Sequence, residues 1–374
     1  MDGYDNGGRP ENQPKKRAEK LPGIALLTEA RTILENPGSP NGYFGWPSVA
    51  RLQNGDIAVA CSGFRRDHLC PFGQAVLMTG SDDGLTYGAP RAIINTPLDD
   101  RDAGVVPFGE SGVIVTSFNN TRAAQREWNP DKPDFMAYVD SVTDEDEARY
   151  LGATFRLSGD GGATFGKLFI SPVTSPHGPT ALHDGGLLWV GRTFSDDEIT
   201  RIEAWRVFED GAMEYVGRVP PFCKNGARVE ASEPHVLELP DGTLLCQFRA
   251  EDDLFTTCQT RSNDGGKTWS EPVQLLSDFG GAPPHLYRHS SGVLISAYGY
   301  RCAPYGIRLM LSADGGETWR TDVVLWDEGP CDDLGYPATV ERRDGSLLTV
   351  FYAKDKEDGP AVIKQIIWKL TDEI

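Results

Sequence analysis

Tyr336 stands directly before Pro337, at the mouth of a run, PATVERRDGSLLTVF, that reads as a β-hairpin turning at Asp344-Gly345. A tyrosine in that place is either a packing residue or a reacting group. A neutral phenol is a poor nucleophile near pH 7, so chemistry at Tyr336 needs a carboxylate beside it to take the proton. Glu233 occupies the same place in another run, SEPHVLELPDGTLLCQFR, directly before Pro234. The two residues are far apart in sequence, and only the fold can bring them together.

Two interleaved repeats supply that fold. In the first, a proline is followed eight residues on by a turn glycine, with apolar runs on both sides: Pro47 with Gly55, Pro234 with Gly242, Pro284 with Gly292 and Pro337 with Gly345. Looser copies start at Gly104 and Pro179, making six hairpins. The second repeat is SGDGGATF from Ser158, SNDGGKTW from Ser262 and SADGGETW from Ser312, with a degraded copy, GSDDGLTY, from Gly80. Its Asp caps turn N–H groups, its Gly supplies positive φ, and its aromatic packs beneath the next element. Six units of four strands predict an all-β fold, a six-bladed β-propeller of four-stranded antiparallel blades. A sandwich or an α/β fold explains neither the interleaving nor the near absence of helical periodicity.

In a propeller the innermost strands line the axis and their entry ends open on one face. The residues just before each repeated proline therefore form a ring: Trp46, the Asp102-Ala103 pair, His177-Gly178, Glu233, Pro283 and Tyr336.

The second repeat resembles the Asp-box, or bacterial neuraminidase repeat, of the sialidase superfamily, over roughly Gly42 to the C-terminus. The resemblance implies fold more firmly than activity. It places Glu233 where the family has a base, Arg249 where it has a carboxylate-binding arginine, and Tyr336 where it has the nucleophile that attacks the anomeric carbon. A tyrosine suits a carbon bearing a carboxylate, because an Asp or Glu nucleophile is repelled there. The family's acid/base aspartate lies in the loop that is GFRRDHLCPFGQ in this chain, giving Asp67 with His68 second. Asp102 resembles an aspartate that touches substrate hydroxyls. Arg308 or Arg301 matches another arginine of the family's triad. The first arginine does not match: Gly45-Trp46-Pro47 stands in place of Arg-Ile-Pro, and Tyr352 precedes Ala353 where the family has its supporting Glu. Arg65 or Arg66 is the compensating candidate.

The resemblance thus implies an exo-acting glycoside hydrolase that removes a terminal, acidic sugar with retention. The rival readings are a propeller lyase or uronic-acid hydrolase, and a non-catalytic carbohydrate-binding propeller. His177 reads as a turn residue or a substrate contact, and His285 and His289 as strand and turn residues. Asp160, Asp264 and Asp314 of the Asp-boxes read as structural.

Composition sets the limits. A net charge of −19 over 374 residues disfavours nucleic acid and anionic membranes as partners. The expected partner is a carbohydrate, with self-association left open. The seven cysteines show no metal-ligand spacing and read as reduced thiols, which with the lack of an apolar leader points to the cytoplasm. No metal or organic cofactor is signalled. Residues 1–20 read as a disordered tail, residues 21–374 as one propeller domain, and the acidic stretch 129–150 as an insertion that is a disordered surface segment, a lid or a subunit contact.

Overall fold

The computed structural model describes residues 23–193, 200–252, 255–277, 281 and 283–371; the N-terminal tail expected over residues 1–20 lies outside them. Six antiparallel sheets follow one another around an axis as predicted. Blade one comprises Tyr43–Arg51, Ile57–Arg65, Gln74–Gly80 and Arg91–Ile94, in that spatial order. Blade two (Arg101–Ser171), blade four (Ala231–Ser277) and blade five (His285–Gly329) repeat the same four-strand order. In blade three the inner strand is split into Val173–Thr174 and Thr180–Ala181, both paired with Leu187–Thr193.

Blade six departs from the expected pattern. Its own segments are Gly335–Glu341, Leu347–Lys354 and Ala361–Thr371, and its outer edge is completed by Gly23–Leu26 and Arg31–Leu34 from the other end of the chain. Pairing the first strands with the last closes the ring and removes an open edge. The second strands of the blades are covered on both faces by neighbouring blades, so they read as continuous apolar runs rather than alternating ones. In blade one, Ile57 through Cys61 are all at most 1% exposed.

The Asp-boxes behave as read. Asp160 accepts from Thr164 N at 2.8 Å and Thr164 Oγ1 at 2.6 Å, and Asp264 and Asp314 repeat this with Thr268 and Thr318. The degraded copy keeps the same bonds from Thr86 to Asp82. These carboxylates sit on outer turns and support the fold.

The acidic insertion is helical. Arg122–Trp128, Pro133–Ser141 and Asp144–Tyr150 form three short helices between the second and third strands of blade two. Thr121 caps the first, Pro133 opens the second, and Thr143 forms a capping box with Asp146 at the third, whose first turn is wholly acidic. The helices pack on the loop after the second strand of blade one: Phe72 meets Phe135 and Tyr138, Arg66 pairs with Asp134, and Lys132 with Asp67. Among the described residues no helix is long and apolar enough to cross a membrane.

Candidate active site

The heads of the inner strands share one local device. Trp46, Asp102, Glu233 and Tyr336 all adopt left-handed backbone conformations, with φ of 52°, 48°, 56° and 49°. At each of these positions the pairing with the second strand slips: between Gly45 and Ser48, Arg101 and Gly104, Ser232 and His235, and Gly335 and Ala338. In blade three the corresponding place is Gly178, where positive φ carries no penalty. A non-glycine residue in this region costs about 1–3 kcal/mol, and bulges of this kind re-aim side chains. Four strained residues at equivalent positions of four blades mark the ring as built for its side chains.

Tyr336 Oη donates a short hydrogen bond to Glu233 Oε1. The other carboxylate oxygen, Oε2, lies 2.9 Å from Arg249 Nε, off the N–H axis, so the contact is an ion pair rather than a hydrogen bond. Arg249 is fixed by Gly281 O at 3.2 Å and by the face of Phe255. Burial pushes the Tyr336 phenol well above its ordinary pKa, Glu233 and Asp102 add to this, and Arg249 and Arg301 oppose it. At rest Tyr336 is therefore neutral and hydrogen-bonded to the group that can take its proton.

Of the two alternative arginines, Arg301 reaches the site. Its Nη2 donates to Tyr352 Oη at 3.0 Å, its Nε to Leu334 O at 2.9 Å, and its guanidinium lies 5.9 Å from the Tyr336 ring centre. Arg308 instead bonds to Trp326 O and Pro304 O within blade five. Neither candidate for the missing arginine fills that role. Arg65 is fully buried, pairs with Asp99 and packs on Trp46. Arg66 points to the insertion.

The third pocket arginine is Arg101, which the sequence reading did not single out. It is 7% exposed, its Cζ stands 4.2 Å from the Trp46 ring centre, and its Nε is buried without a partner. Trp46 carries Arg101 on its face. Its ring also meets Tyr336, Tyr352, Tyr43 and His68.

The loop of blade one presents two candidates for proton transfer. Asp67 is half exposed, with Oδ2 2.6 Å from Lys132 Nζ. Burial favours its protonated form, but the hydrogen bonds from Lys132 and from His68 N outweigh this and hold it below the ordinary carboxylate range. It faces the insertion. His68 faces the aromatic cluster, with Nδ1 2.8 Å from Asp333 Oδ1 and 3.0 Å from Tyr43 Oη. Burial, although opposed by Asp333, lowers the His68 pKa. Asp333 is itself held at about 2: burial works against its charge, and His68, Tyr43 and Lys354 overcome it. His68 is therefore neutral at pH 7, with its proton on Nδ1 and Nε2 free among the described residues.

Asp102 behaves oppositely to Asp67. It is 6% exposed, and burial raises its carboxyl to about 7; Glu233 adds to the rise and Arg101 opposes it. His177 lies below the ring, against Ser48 and two further histidines. The structure thus joins Tyr336, Glu233, Arg249, Arg301, Asp102, Trp46 and His68 in one pocket. It places Arg308, Arg65, Arg66, Asp67 and His177 around it.

The six blades and the Asp-boxes define a six-bladed propeller with a sialidase-like fold. The chain belongs to the BNR repeat-like domain family, which matches residues 129–349, more than half of its length. Among solved structures it is similar to a protein of unknown function from Dyadobacter fermentans, at 22% identity over 94% of this chain and 100% of that one, with a TM-score of 0.75. It is also similar to the NanB sialidase of Streptococcus pneumoniae (12% identity, 93% and 71% coverage, TM-score 0.65). A third is an intramolecular trans-sialidase from Ruminococcus gnavus in complex with oseltamivir carboxylate (14%, 91% and 96%, TM-score 0.62). At these identities the likeness is one of fold. No curated protein matches the sequence.

Proposed function

We propose that the protein is an exo-acting glycoside hydrolase that removes a terminal sugar bearing an anionic group, with retention. The observation that carries this reading is the Tyr336–Glu233–Arg249 arrangement on strained strand heads. Tyr336 Oη attacks the anomeric carbon as its proton passes to Glu233, and the glycosidic C–O bond breaks. Asp102, the buried carboxyl that holds a proton up to about pH 7, protonates the departing oxygen. Water then attacks the tyrosyl-linked sugar, giving its proton to Asp102, while Glu233 returns the proton to Tyr336. Arg101, Arg249 and Arg301 give the pocket the positive charge that an anionic substituent needs. Arg101 in particular has an unpaired buried N–H to offer it. No step of this scheme needs a metal or organic cofactor.

His68 favours a second reading, β-elimination from a uronic acid. Its free, neutral Nε2 could take the proton next to a carboxylate held by Arg101 and Arg301. The C–H electrons form a C=C bond, the C–O bond breaks, and Asp102 protonates the leaving oxygen. The test is a panel of aryl glycosides (α-ketosides of nonulosonic and octulosonic acids, uronides and neutral sugars) together with uronic-acid oligosaccharides linked through O4, whose C4–O bond is the one an elimination breaks. Aglycone release and absorbance near 235 nm are followed together. Hydrolysis predicts turnover of an anionic glycoside without new ultraviolet absorbance. Elimination predicts that absorbance, and binding without turnover across the panel would sink both.

Two substitutions separate the residues of the loop. Asp67→Asn is expected to keep kcat/KM within about threefold, since a half-exposed ion pair contributes little. His68→Ala lowers kcat/KM by about tenfold or less if His68 only lines the pocket. A loss of about 10²–10⁴-fold marks it as the base of the elimination reading.

A further inference from the structure

Three of the six histidines follow a proline: Pro176-His177, Pro234-His235 and Pro284-His285. They lie one layer below the ring, on the inner edges of blades three, four and five. Their rings form one cluster around the axis. His235 and His285 stack at 4.4 Å between ring centres, and His177 stands edge-on to both at 5.3 and 4.8 Å. Each ring bonds to another blade. Leu286 N–H donates to His235 Nδ1 at 2.9 Å, Thr339 N–H donates to His285 Nδ1 at 3.3 Å, and Ser48 Oγ lies 2.9 Å from His177 Nδ1.

These bonds fix the chemistry of the cluster. A backbone N–H can only donate, so Nδ1 of His235 and of His285 is an acceptor and the ring proton of each sits on Nε2. Burial keeps the rings neutral, lowering His235 to about 4 and the other two well below their ordinary value. A metal ion needs the Nε2 lone pairs, which these tautomers do not offer. Among the described residues no group of His, Cys, Asp or Glu has metal-holding geometry. His235 and His285 are thus N–H donors at Nε2.

The donors border an axial cavity of about 330 Å³, walled by Val49, Val105, Val236, Leu286 and Val340. The chain has 55 acidic residues, yet none of the residues lining this cavity is a carboxylate, and the one charged residue there is Arg51. His177 is 3% exposed and its Nε2 is buried without a partner. Histidines whose role was only to tie the blades together would not leave His177 Nε2 buried without a partner beside an acid-free cavity.

We propose that this axial cavity is an anion site, separate from the pocket above it, in which a halide is held by the Nε2–H groups of His235 and His285 beside His177. The test uses the full chain with bromide as the probe. Crystals grown in sodium bromide should show an anomalous peak within hydrogen-bond reach of both Nε2 atoms, displaced by chloride. The unfolding midpoint should rise with bromide or chloride above its value in sodium gluconate at equal ionic strength, and the difference should vanish in His235→Phe. Long-range imidazole ¹⁵N spectra of the wild type, which need no variant to fold, should show Nε2–H tautomers at His235 and His285. An empty cavity in bromide, equal response to gluconate, or an Nδ1–H tautomer at either ring would overturn the proposal.

Discussion

Tyr336→Phe is expected to abolish turnover of any glycoside the wild type hydrolyses, lowering kcat by at least about 10³-fold while leaving KM within a few fold. The substitution removes one oxygen from a residue that is 6% exposed and leaves its packing against Trp46 and Tyr352 in place. The variant should therefore fold, with an unfolding midpoint lowered by the loss of the hydrogen bond to Glu233. It loses the covalent route, and it leaves Glu233 Oε1 without its donor. Glu233→Gln is the companion variant. An amide there can still contact Tyr336 but cannot take its proton, and it breaks the ion pair with Arg249. Its kcat should fall by about 10²–10⁴-fold. The pair is informative because the two residues act as one unit, so the double variant should be hardly worse than Tyr336→Phe alone. Wild-type levels of turnover in Tyr336→Phe would remove the nucleophile reading and move weight to elimination through His68.

The ring was legible in the sequence because the position that carries it is encoded in the repeat. In blades one, four and six a proline at fixed distance from a turn glycine marks the bulge, and Trp46, Glu233 and Tyr336 before it take the left-handed conformation; Asp102 takes it with no proline after it. The same bulge explains what was missed. Arg101 and Asp102 are consecutive, and alternation along a strand puts them on opposite faces. The slip between Arg101 and Gly104 cancels that alternation and leaves both residues at the pocket. Asp67 and His68 are neighbours in a loop, where no periodicity says which one faces inward; Lys132, more than sixty residues away, decides it by binding Asp67. Arg301 and Arg308 differ in whether the backbone of blade five already occupies the guanidinium, which no local pattern reveals. The closure of blade six by residues 23–34 has no copy in the repeat, because those strands pair with the far end of the chain. By composition the acidic insertion read as a disordered surface segment, a lid or a subunit contact, whereas its caps at Thr121 and Thr143 and its contacts with Phe72 make it helical.

Asp102→Asn should weaken the enzyme and strengthen the fold, and both effects depend on pH in a way that identifies the group. A carboxyl with a pKa of about 7 in the folded protein and an ordinary value when unfolded binds more protons in the native state between those two values. Its contribution to stability is therefore fully present below the unfolded pKa and is lost as pH rises through the folded one. At pH 8 the wild type carries a buried charge beside Glu233 at a cost on the order of 2–4 kcal/mol, which the neutral amide avoids. The stability advantage of Asp102→Asn should accordingly be small near pH 4 and grow up to about pH 8, as read by denaturant midpoints across the series. Activity runs the other way. If Asp102 protonates the leaving group, kcat/KM of the wild type falls above about pH 7, and Asp102→Asn loses both that limb and about 10²–10⁴-fold in rate. Substrates with acidic aglycones need little protonation and should recover most of the loss, a recovery that a merely positioning aspartate would not produce. An alkaline limb that survives in Asp102→Asn would assign it to another group. His68 cannot supply it in that case, since its pKa lies below the ordinary histidine value, and Asp102 would then be left with the role of binding substrate hydroxyls.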